Sequence, residues 1–245
     1  MGSESTKKAL VTGGTGGLGT AICRALADMR LDVVANYHPD YVAQAKEWQA
    51  KQADEGYSFA LFAADVSDLE QCRGMASDIG AIDCLVNNAG ITRDSRFQKM
   101  LPEHWQAVID TNLNSAFNVT QPFLDGMIDR GYGRIVNISS LSGQTGNFGQ
   151  TNYAAAKAGV HGFTMSLSRE VASKGITVNS VSPGFIGTEM VRAMPLDVLD
   201  KVSAMVPVGR LGEPHEIGRT VAFLCDEQSG YITGADISVN GGLYM

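Results

Sequence analysis

The residue types that this sequence lacks exclude several classes of protein. Its 245 residues contain four cysteines, Cys23, Cys72, Cys84 and Cys225, and no pair has CxxC or metal-ligand spacing. We therefore expect reduced, mostly buried thiols and no metal site. The sequence has no block of basic residues and its formal net charge is −7, which argues against a nucleic-acid partner.

Long apolar segments are absent as well. No run approaches the roughly 20 apolar residues that a membrane-spanning helix needs, and the first eight residues, MGSESTKK, are polar, unlike a signal region. We expect a cytoplasmic protein without a membrane partner. Hydrophobic residues make up 44% and charged residues 18% of the chain, which is typical of a folded globular protein.

Short apolar, β-rich segments alternate with helical stretches along the chain. Strands are predicted at 9–13, 32–37, 58–66, 83–90, 134–140, 176–184 and 235–242. Helices are predicted at 17–30, 41–55, 67–78, 102–129, 152–174 and 214–228. Because the strands are apolar on both faces, this alternation predicts an α/β fold, a doubly wound, seven-stranded parallel sheet with helices on both faces. We expect one domain over residues 1–245, with a substrate-binding loop at about 184–214 that is helical near 195–205.

A glycine-rich turn, TGGTGGLG at 12–19, lies between the first strand and the first helix. Glycines let the backbone turn tightly and approach a pyrophosphate, and the helix N-terminus presents free N–H groups and a positive dipole end. A glycine cluster alone would indicate only a flexible turn. Its place in an alternating chain favours the dinucleotide site of a Rossmann fold.

Tyr153 and Lys157 lie four positions apart in an alanine-rich segment at 150–159. Alanine favours helix, so the two side chains share one helix face. They would be either two polar groups on a solvated face or an acid beside a cation that tunes it. In the second case the ammonium would lower the phenol pKa from about 10 by roughly 1–3 units. These residues alone leave both interpretations open.

Four motifs occur in order: TGxxxGxG at 12–19, NNAG at 87–90, a serine thirteen positions before YxxxK, and SPG at 182–184. Together they resemble the short-chain dehydrogenase/reductase family over nearly the whole chain. The segments NNAGITRD at 87–94, FQKM at 97–100 and NFGQTNYAAAKAG at 147–159 are most similar to its branch of bacterial acetoacetyl-CoA reductases, which serve polyhydroxybutyrate synthesis.

The resemblance implies NAD(P)H-dependent reduction of acetoacetyl-CoA to (R)-3-hydroxybutyryl-CoA. The alternatives are reduction of 3-oxoacyl-acyl-carrier-protein in fatty-acid synthesis and, more remotely, a non-catalytic dinucleotide-binding protein. Non-catalytic relatives usually lose the tyrosine or the lysine, and both are present here. The family also implies a homotetramer, with the helices at about 102–129 and 152–174 at an interface.

The resemblance assigns four catalytic residues. Tyr153 would give its proton to the substrate carbonyl, and Lys157 would tune the tyrosine. Ser140 would hydrogen-bond the developing oxyanion, while the neighbouring Ser139 would be a strand-end serine. Asn112 would hold a water that returns protons to Lys157.

The family's cofactor contacts fall on seventeen positions of this sequence. They are Gly13, Thr15, Gly17, Leu18, Gly19, Asn36, Asp65, Val66, Asn88, Ala89, Gly90, Tyr153, Lys157, Pro183, Gly184, Ile186 and Thr188. Asp65 could instead cap the helix that follows it. The acetoacetyl-CoA reductases of this resemblance mostly use NADPH, but residues 36–45 contain no arginine or lysine to hold its 2′-phosphate. We therefore expect good use of NADH, with NADPH still accepted.

The implied substrate contacts are Asp94, Lys99, Asn147, Phe148, Gln150 and Phe185. Asn147 and Phe185 are departures, because the best-known members carry glutamine and tyrosine there. Each change removes a potential hydrogen bond to the thioester or the pantetheine arm. The neighbouring cations Arg93, Arg96 and Lys99 would either attract the CoA phosphates or belong to an ordinary solvated loop.

Overall fold

The parallel sheet predicted from the strand pattern is confirmed. The computed structural model describes residues 6–188, 191 and 196–245. Its strands are β1 (Lys8–Val11), β2 (Asp32–Tyr37), β3 (Ala60–Ala63), β4 (Cys84–Asn87), β5 (Gly133–Ile138), β6 (Ile176–Pro183) and β7 (Asp236–Val239). They form one seven-stranded sheet in the order β3-β2-β1-β4-β5-β6-β7. Every neighbouring pair is parallel.

Helices connect the strands on both faces of the sheet. They are α1 (Gly17–Asp28), α2 (Val42–Asp54), α3 (Leu69–Ile79), α4 (Pro102–Ile109), α5 (Ser115–Arg130), α6 (Leu141–Thr145), α7 (Thr151–Val171), α8 (Leu196–Met205) and α9 (Pro214–Cys225). The short helix α6 was not predicted. Its start is set by Ser140, whose Oγ accepts a hydrogen bond from the Ser142 amide at 3.1 Å.

The helical stretch predicted at 102–129 is observed, but it consists of three parts. A π-helix, Asp110–Asn114, separates α4 from α5. Aspartate, threonine and asparagine are weak helix formers whose polar groups compete for the backbone. Here Ser115 Oγ donates to the Thr111 carbonyl at 2.6 Å, and Asn114 Nδ2 donates to Asp110 Oδ1 at 2.7 Å. The wider turn buries Asn112, and such π-turns are frequent at functional sites.

Helix α3 begins at Asp68. Its carboxylate accepts hydrogen bonds from the amides of Glu70 and Gln71 at 2.9 and 3.2 Å. The alternative that Asp65 caps this helix is therefore wrong. Asp65 Oδ1 instead accepts from the Ser67 amide at 2.9 Å and from its hydroxyl at 2.7 Å.

The two faces of the sheet bury different sets of apolar residues. On one face, α1 and α9 pack against each other and against the sheet, with Ile22, Leu26, Ile217, Val221 and Leu224 fully buried. On the other face lie α3, α5 and α7. The apolar cluster there lies mainly under α3 and α5 and includes Met75, Val119, Phe123, Met127 and Ile135.

The connection from 184 to 214 is closed at its two ends. Ile186 forms a parallel bridge with Gly212, and the Gly212 amide donates to the Phe185 carbonyl at 2.9 Å. The helix expected near 195–205 is observed as α8. Residues 189, 190 and 192–195 of this connection lie outside the described residues.

In the described part of the chain, no helix is long and apolar enough to span a bilayer.

Candidate active site

The predicted site residues gather at the carboxyl edge of the sheet. Strands β1 and β4 are neighbours there, and the strand order reverses between them. In open α/β sheets, such a reversal leaves a crevice in which ligands bind. The glycine-rich turn follows β1, Asn88 follows β4, Ser140 follows β5 within two residues, and Gly184 follows β6.

The glycine-rich turn is shaped so that side chains are excluded from it. Gly13 has a φ of +59°, which favours glycine. A β-carbon on Gly14 would lie 2.8 Å from Ala35 Cβ, and one on Gly19 would lie 2.2 Å from the Gly13 carbonyl oxygen. Helix α1 begins after Gly16 without a side-chain cap. The turn thus fits a pyrophosphate, with exposed backbone leading to a helix N-terminus.

Thr12 joins the glycine-rich turn to the segment after β4. Its Oγ1 accepts hydrogen bonds from the amides of Asn88 and Ala89 at 2.9 and 3.0 Å. In return, Asn88 Nδ2 donates to the carbonyls of Thr12 and Gly13 at 2.9 and 3.1 Å. Sequence reasoning did not select Thr12 as a site residue, and its only signal was its place before the first glycine of the motif.

Asn36 lies at the end of β2 and is buried. Its Nδ2 donates to the Ala64 carbonyl at 3.0 Å, and its Oδ1 accepts from the Gly13 amide at 3.4 Å. Asn36 thus supports the glycine-rich turn from below. Just beyond it, His38 lies 3.5 Å from an oxygen of Asp40 and 3.4 Å from an oxygen of Asp65.

Helix α7 presents Tyr153 and Lys157 on one face, as predicted. Lys157 is buried, and its Nζ donates to the Ile138 carbonyl at the end of β5 at 2.7 Å. The same Nζ lies 5.7 Å from the centre of the Tyr153 ring. Ser140, two residues after Ile138, lies near enough to Tyr153 for its side chain to lower the pKa of the Tyr153 phenol. The structure therefore brings Ser140, Tyr153 and Lys157 together.

The expected direction of the Tyr153 pKa is wrong for the chain as described. Burial raises the pKa of this phenol above its ordinary value, and the charge of Asp94 adds to the rise, while the side chain of Ser140 opposes it. Burial also lowers the pKa of Lys157 to about 8. The lowering of the Tyr153 pKa by the Lys157 ammonium, expected from sequence, is not observed, because burial is the largest cause of the shift.

Asn112 lies beside Gly90 and Lys157. Its Nδ2 donates to the carbonyls of Val108 and Ile91 at 2.8 and 2.9 Å, and its Oδ1 accepts from the Ile91 amide at 3.2 Å. A β-carbon built on Gly90 would lie 2.5 Å from Asn112 Oδ1 and 3.7 Å from Lys157 Nζ. Glycine at position 90 therefore lets the backbone pass closely between the two side chains.

Three of the predicted substrate residues meet in one cluster. Gln150 Nε2 donates to Asp94 Oδ2 at 2.8 Å, and Gln150 Oε1 accepts from Asn147 Nδ2 at 3.0 Å. Phe148 is 81% exposed, and the guanidinium of Arg96 lies 5.6 Å from its ring centre. Lys99 is exposed at the end of a 3₁₀ turn, Phe97–Lys99.

Phe185 belongs to a different group, after β6. It lines a small cavity of about 110 Å³ with Val206 and Val208. Thr188, also in this segment, reaches the glycine-rich turn, because a β-carbon on Gly17 would lie 3.2 Å from its side chain. The remaining predicted cofactor positions are Thr15 and Leu18 in or beside that turn, Val66 after β3, and Pro183, Gly184 and Ile186 at the end of β6.

Comparison with known proteins assigns this arrangement to a family. The family model described as short chain dehydrogenase matches residues 7–198. The chain belongs to this family. Its members are oxidoreductases that bind NAD(P)H, and the glycine-rich turn, NNAG and the Tyr153–Lys157 pair all lie inside the matched region.

Curated relatives match nearly the full length. The acetoacetyl-CoA reductase of Allochromatium vinosum is 54% identical over 241 residues, covering 97% of this chain and 98% of the relative. That of Cupriavidus necator is 55% identical with the same coverage. The 3-oxoacyl-[acyl-carrier-protein] reductase of Vibrio cholerae is 45% identical, covering 98% of each chain.

Proposed function

We propose that this protein is an NAD(P)H-dependent acetoacetyl-CoA reductase that forms (R)-3-hydroxybutyryl-CoA for polyhydroxybutyrate synthesis. The observation that carries the proposal is the meeting of Ser140, Tyr153 and Lys157 beside the crevice at the β1–β4 reversal. It is supported by relatives named acetoacetyl-CoA reductase at 54% and 55% identity.

The catalytic roles follow from the donors at the site. The glycine-rich turn would hold the dinucleotide, which when bound would supply the hydride. Tyr153 gives its hydroxyl proton to the carbonyl oxygen of the substrate, and Ser140 donates a hydrogen bond to the same oxygen as its negative charge develops. Lys157 stabilises the phenolate that remains. Asn112 completes the return path for protons through its position next to Gly90 and Lys157.

We further propose that NADH is the preferred cofactor and that NADPH is still accepted. Residues 36–45, at and after the end of β2, include His38 and Asp40 but no arginine or lysine. Asp65 adds a second carboxylate near His38. A missing charge-assisted hydrogen bond to the 2′-phosphate costs roughly 1.5–3 kcal/mol, and each 1.4 kcal/mol is about tenfold in affinity. The test is kcat/KM for both cofactors at one acetoacetyl-CoA concentration, and an NADPH preference above about tenfold would contradict the proposal.

The substrate is proposed to lie between the Asp94–Asn147–Gln150 cluster and Phe185. The exposed ring of Phe148 offers an apolar surface for the acyl chain or pantetheine arm, and Lys99 offers a cation for phosphate. The connection from 184 to 214 is proposed as the substrate-binding loop of a single domain.

We also propose that the protein is a cytoplasmic homotetramer, with the 102–129 and 152–174 regions at an interface.

The alternative substrate is a 3-oxoacyl thioester on acyl-carrier protein, favoured by the Vibrio cholerae relative at 45% identity. Reduction rates with the same acetoacetyl group carried on CoA and on acyl-carrier protein distinguish the two. A higher kcat/KM with CoA is expected. A higher value with acyl-carrier protein would replace the proposed substrate, and activity with neither would support a non-catalytic dinucleotide-binding protein.

A further inference from the structure

Polar side chains line part of the sheet surface that faces helix α7, whereas Leu167 and Val171, near the end of the helix, pack in the apolar cluster of this face. The strand register places Asn87 beside Asn137, Asn137 beside Ser180, and Ser180 beside Asp236. This polar row crosses β4, β5, β6 and β7 at one level. It faces α7, since Asn137 Nδ2 donates to Thr164 Oγ1 of that helix at 2.9 Å.

Four residues at the upper end of this polar face connect the edge strand β7 to α7. We call them the α7 anchor: Ser139, His161, Ser182 and Asp236. His161 Nε2 lies 2.7 Å from Ser139 Oγ, 3.2 Å from Ser182 Oγ and 3.5 Å from Asp236 Oδ2. Ser182 Oγ donates to the Asp236 carboxylate at 2.8 Å. Both serines are buried.

The hydrogen bonds of the anchor have a defined direction. Ser139 has one hydroxyl proton, which it donates to the Lys157 carbonyl at 2.9 Å. Its oxygen therefore accepts from His161, so Nε2 of His161 carries a proton. Asp236 accepts hydrogen bonds from Ser182 and also from Ser180 at 2.6 Å. His161 and Ser139 thus connect Ser182 of β6 to the backbone of Lys157, and Asp236 of the edge strand accepts from Ser182.

The anchor meets the proposed catalytic residues at two points. Ser139 directly precedes Ser140, and Lys157 lies one helical turn before His161 on the face that also carries Tyr153. Lys157 is therefore bound to the end of β5 twice. Its Nζ donates to the Ile138 carbonyl at 2.7 Å, and its own carbonyl accepts from Ser139.

We propose that the α7 anchor holds helix α7 in register with the end of β5 and so sets the distance between Ser140 and the Tyr153–Lys157 pair. This inference rests on the proposed function, in which those three residues act on one carbonyl. Ser139 and His161 are positioning residues, because they touch the catalytic helix and not the reacting atoms. In the anchor Ser139 and Ser182 are buried and His161 and Asp236 are partly buried, and a hydrogen-bonded polar network shielded from water specifies one arrangement more sharply than apolar contacts do.

The first test compares two buried serines. Ser139→Ala removes the hydroxyl that bonds His161 and the Lys157 carbonyl of α7, while the bonds from Lys157 Nζ to Ile138 and from Asn137 to Thr164 remain. Ser168→Ala removes a serine on α7 whose Oγ donates to the Met165 carbonyl of the same helix, at 2.9 Å. We expect kcat per cofactor-binding site to fall about tenfold in Ser139→Ala, with KM for substrate and cofactor nearly unchanged. Ser168→Ala should retain the kcat of the original protein. Equal kcat in both variants would overturn the inference.

The second test varies His161. A glutamine keeps an N–H donor for Ser139 Oγ, and a leucine keeps only the apolar volume. We expect His161→Leu to lose about as much kcat as Ser139→Ala, and His161→Gln to recover most of it. A merely structural role would lower the unfolding temperature without this recovery pattern. Equal kcat per site in His161→Leu and His161→Gln would contradict the proposal that the α7 anchor positions the catalytic residues.

A substrate-free measurement separates this inference from the proposed function. The phenol of Tyr153 is titrated by ultraviolet absorbance as the difference between each protein and the same protein carrying Tyr153→Phe. Burial raises the pKa of this phenol, so a loosened α7 in Ser139→Ala should return it towards about 10, while Ser168→Ala should not. If the original protein reduces no acetoacetyl thioester, the proposed function fails. Whatever the activity, an unchanged Tyr153 phenol pKa in Ser139→Ala overturns the proposal that the α7 anchor positions this helix.

Discussion

Two regions of the sheet differ in what holds their helices: the face under α1 and α9, and the part of the other face under α7. Under α1 and α9 the contacts are apolar, and Leu26, Ile217 and Leu224 are fully buried there. Under α7 the sheet presents asparagines, serines and an aspartate. Thr164 and His161 of the helix form hydrogen bonds with these side chains. Apolar contacts are non-directional, so many small shifts preserve them. Hydrogen bonds lose strength with small changes in angle. We infer that the apolar contacts under α1 and α9 mainly stabilise the fold, whereas the hydrogen bonds under α7 mainly fix the position of that helix.

The largest expected effect comes from Tyr153→Phe on the α7 face. The change removes the proposed proton donor and little volume, so kcat should fall by roughly 10²–10⁴ while the Kd for NADH stays nearly unchanged. Steady-state kinetics and a cofactor-binding titration measure the two quantities. The matched control is Tyr231→Phe, since Tyr231 is fully exposed. Substantial turnover by Tyr153→Phe would remove Tyr153 from its role as the acid.

The next effect tests the α1–α9 face. Leu224→Ala leaves a cavity in the apolar cluster, and such changes lower the free energy of unfolding by about 2–5 kcal/mol. Denaturant unfolding measures this loss. Leu224 lies on α9, and the apolar cluster that contains it includes no residue of α7. We therefore expect kcat per folded site to stay the same. A fall in kcat per folded site would show that the two faces are not separable in this way.

A smaller effect is expected where the site has an apolar residue at a position that is tyrosine in the best-known relatives. Phe185→Tyr should lower KM for acetoacetyl-CoA by the equivalent of one neutral hydrogen bond, about 0.5–1.5 kcal/mol. The KM for the cofactor serves as the internal control and should stay the same. A KM for acetoacetyl-CoA that is unchanged or higher would mean that the Phe185 ring makes its own apolar contact.

A further effect concerns pH and the buried ammonium of Lys157 on the α7 face. Burial lowers the pKa of Lys157 to about 8, from about 10.4 in an unfolded chain. Between these values the unfolded chain binds more protons than the folded one, so this group makes the free energy of unfolding rise with pH. Lys157→Met should lack that rise. Denaturant unfolding of both proteins from pH 8 to 10 compares the slopes, and parallel slopes would contradict the assigned cause.

The sequence predicted the sheet and most helices because their apolar periodicity is set by burial on both faces of parallel strands. It did not predict the π-helix at 110–114, since the one-residue expansion there depends on local polar bonds of Thr111 and Asn114 rather than on periodicity. The resemblance placed Ser140, Tyr153 and Lys157 correctly beside one another. The direction of the Tyr153 pKa was missed because desolvation depends on tertiary burial, which i,i+4 spacing does not reveal.

The sequence interpretation of Ser139 as a strand-end serine was also incomplete. Its partners His161 and the Lys157 carbonyl lie on α7, and Asp236, the far end of the anchor, is 97 positions further along the chain. Only the pairing of β5, β6 and β7 brings these residues together. Contacts of this kind have no local signal in a single sequence.

The central claim is that this chain reduces acetoacetyl-CoA, and its product tests that claim most directly. Purified protein is mixed with acetoacetyl-CoA and a limiting amount of NADH, and both oxidised cofactor and thioester product are quantified, with the product resolved by chirality. We expect (R)-3-hydroxybutyryl-CoA in an amount equal to the NADH consumed. NADH that remains unoxidised with acetoacetyl-CoA, under conditions in which it is consumed with acetoacetyl-acyl-carrier-protein, would contradict the account.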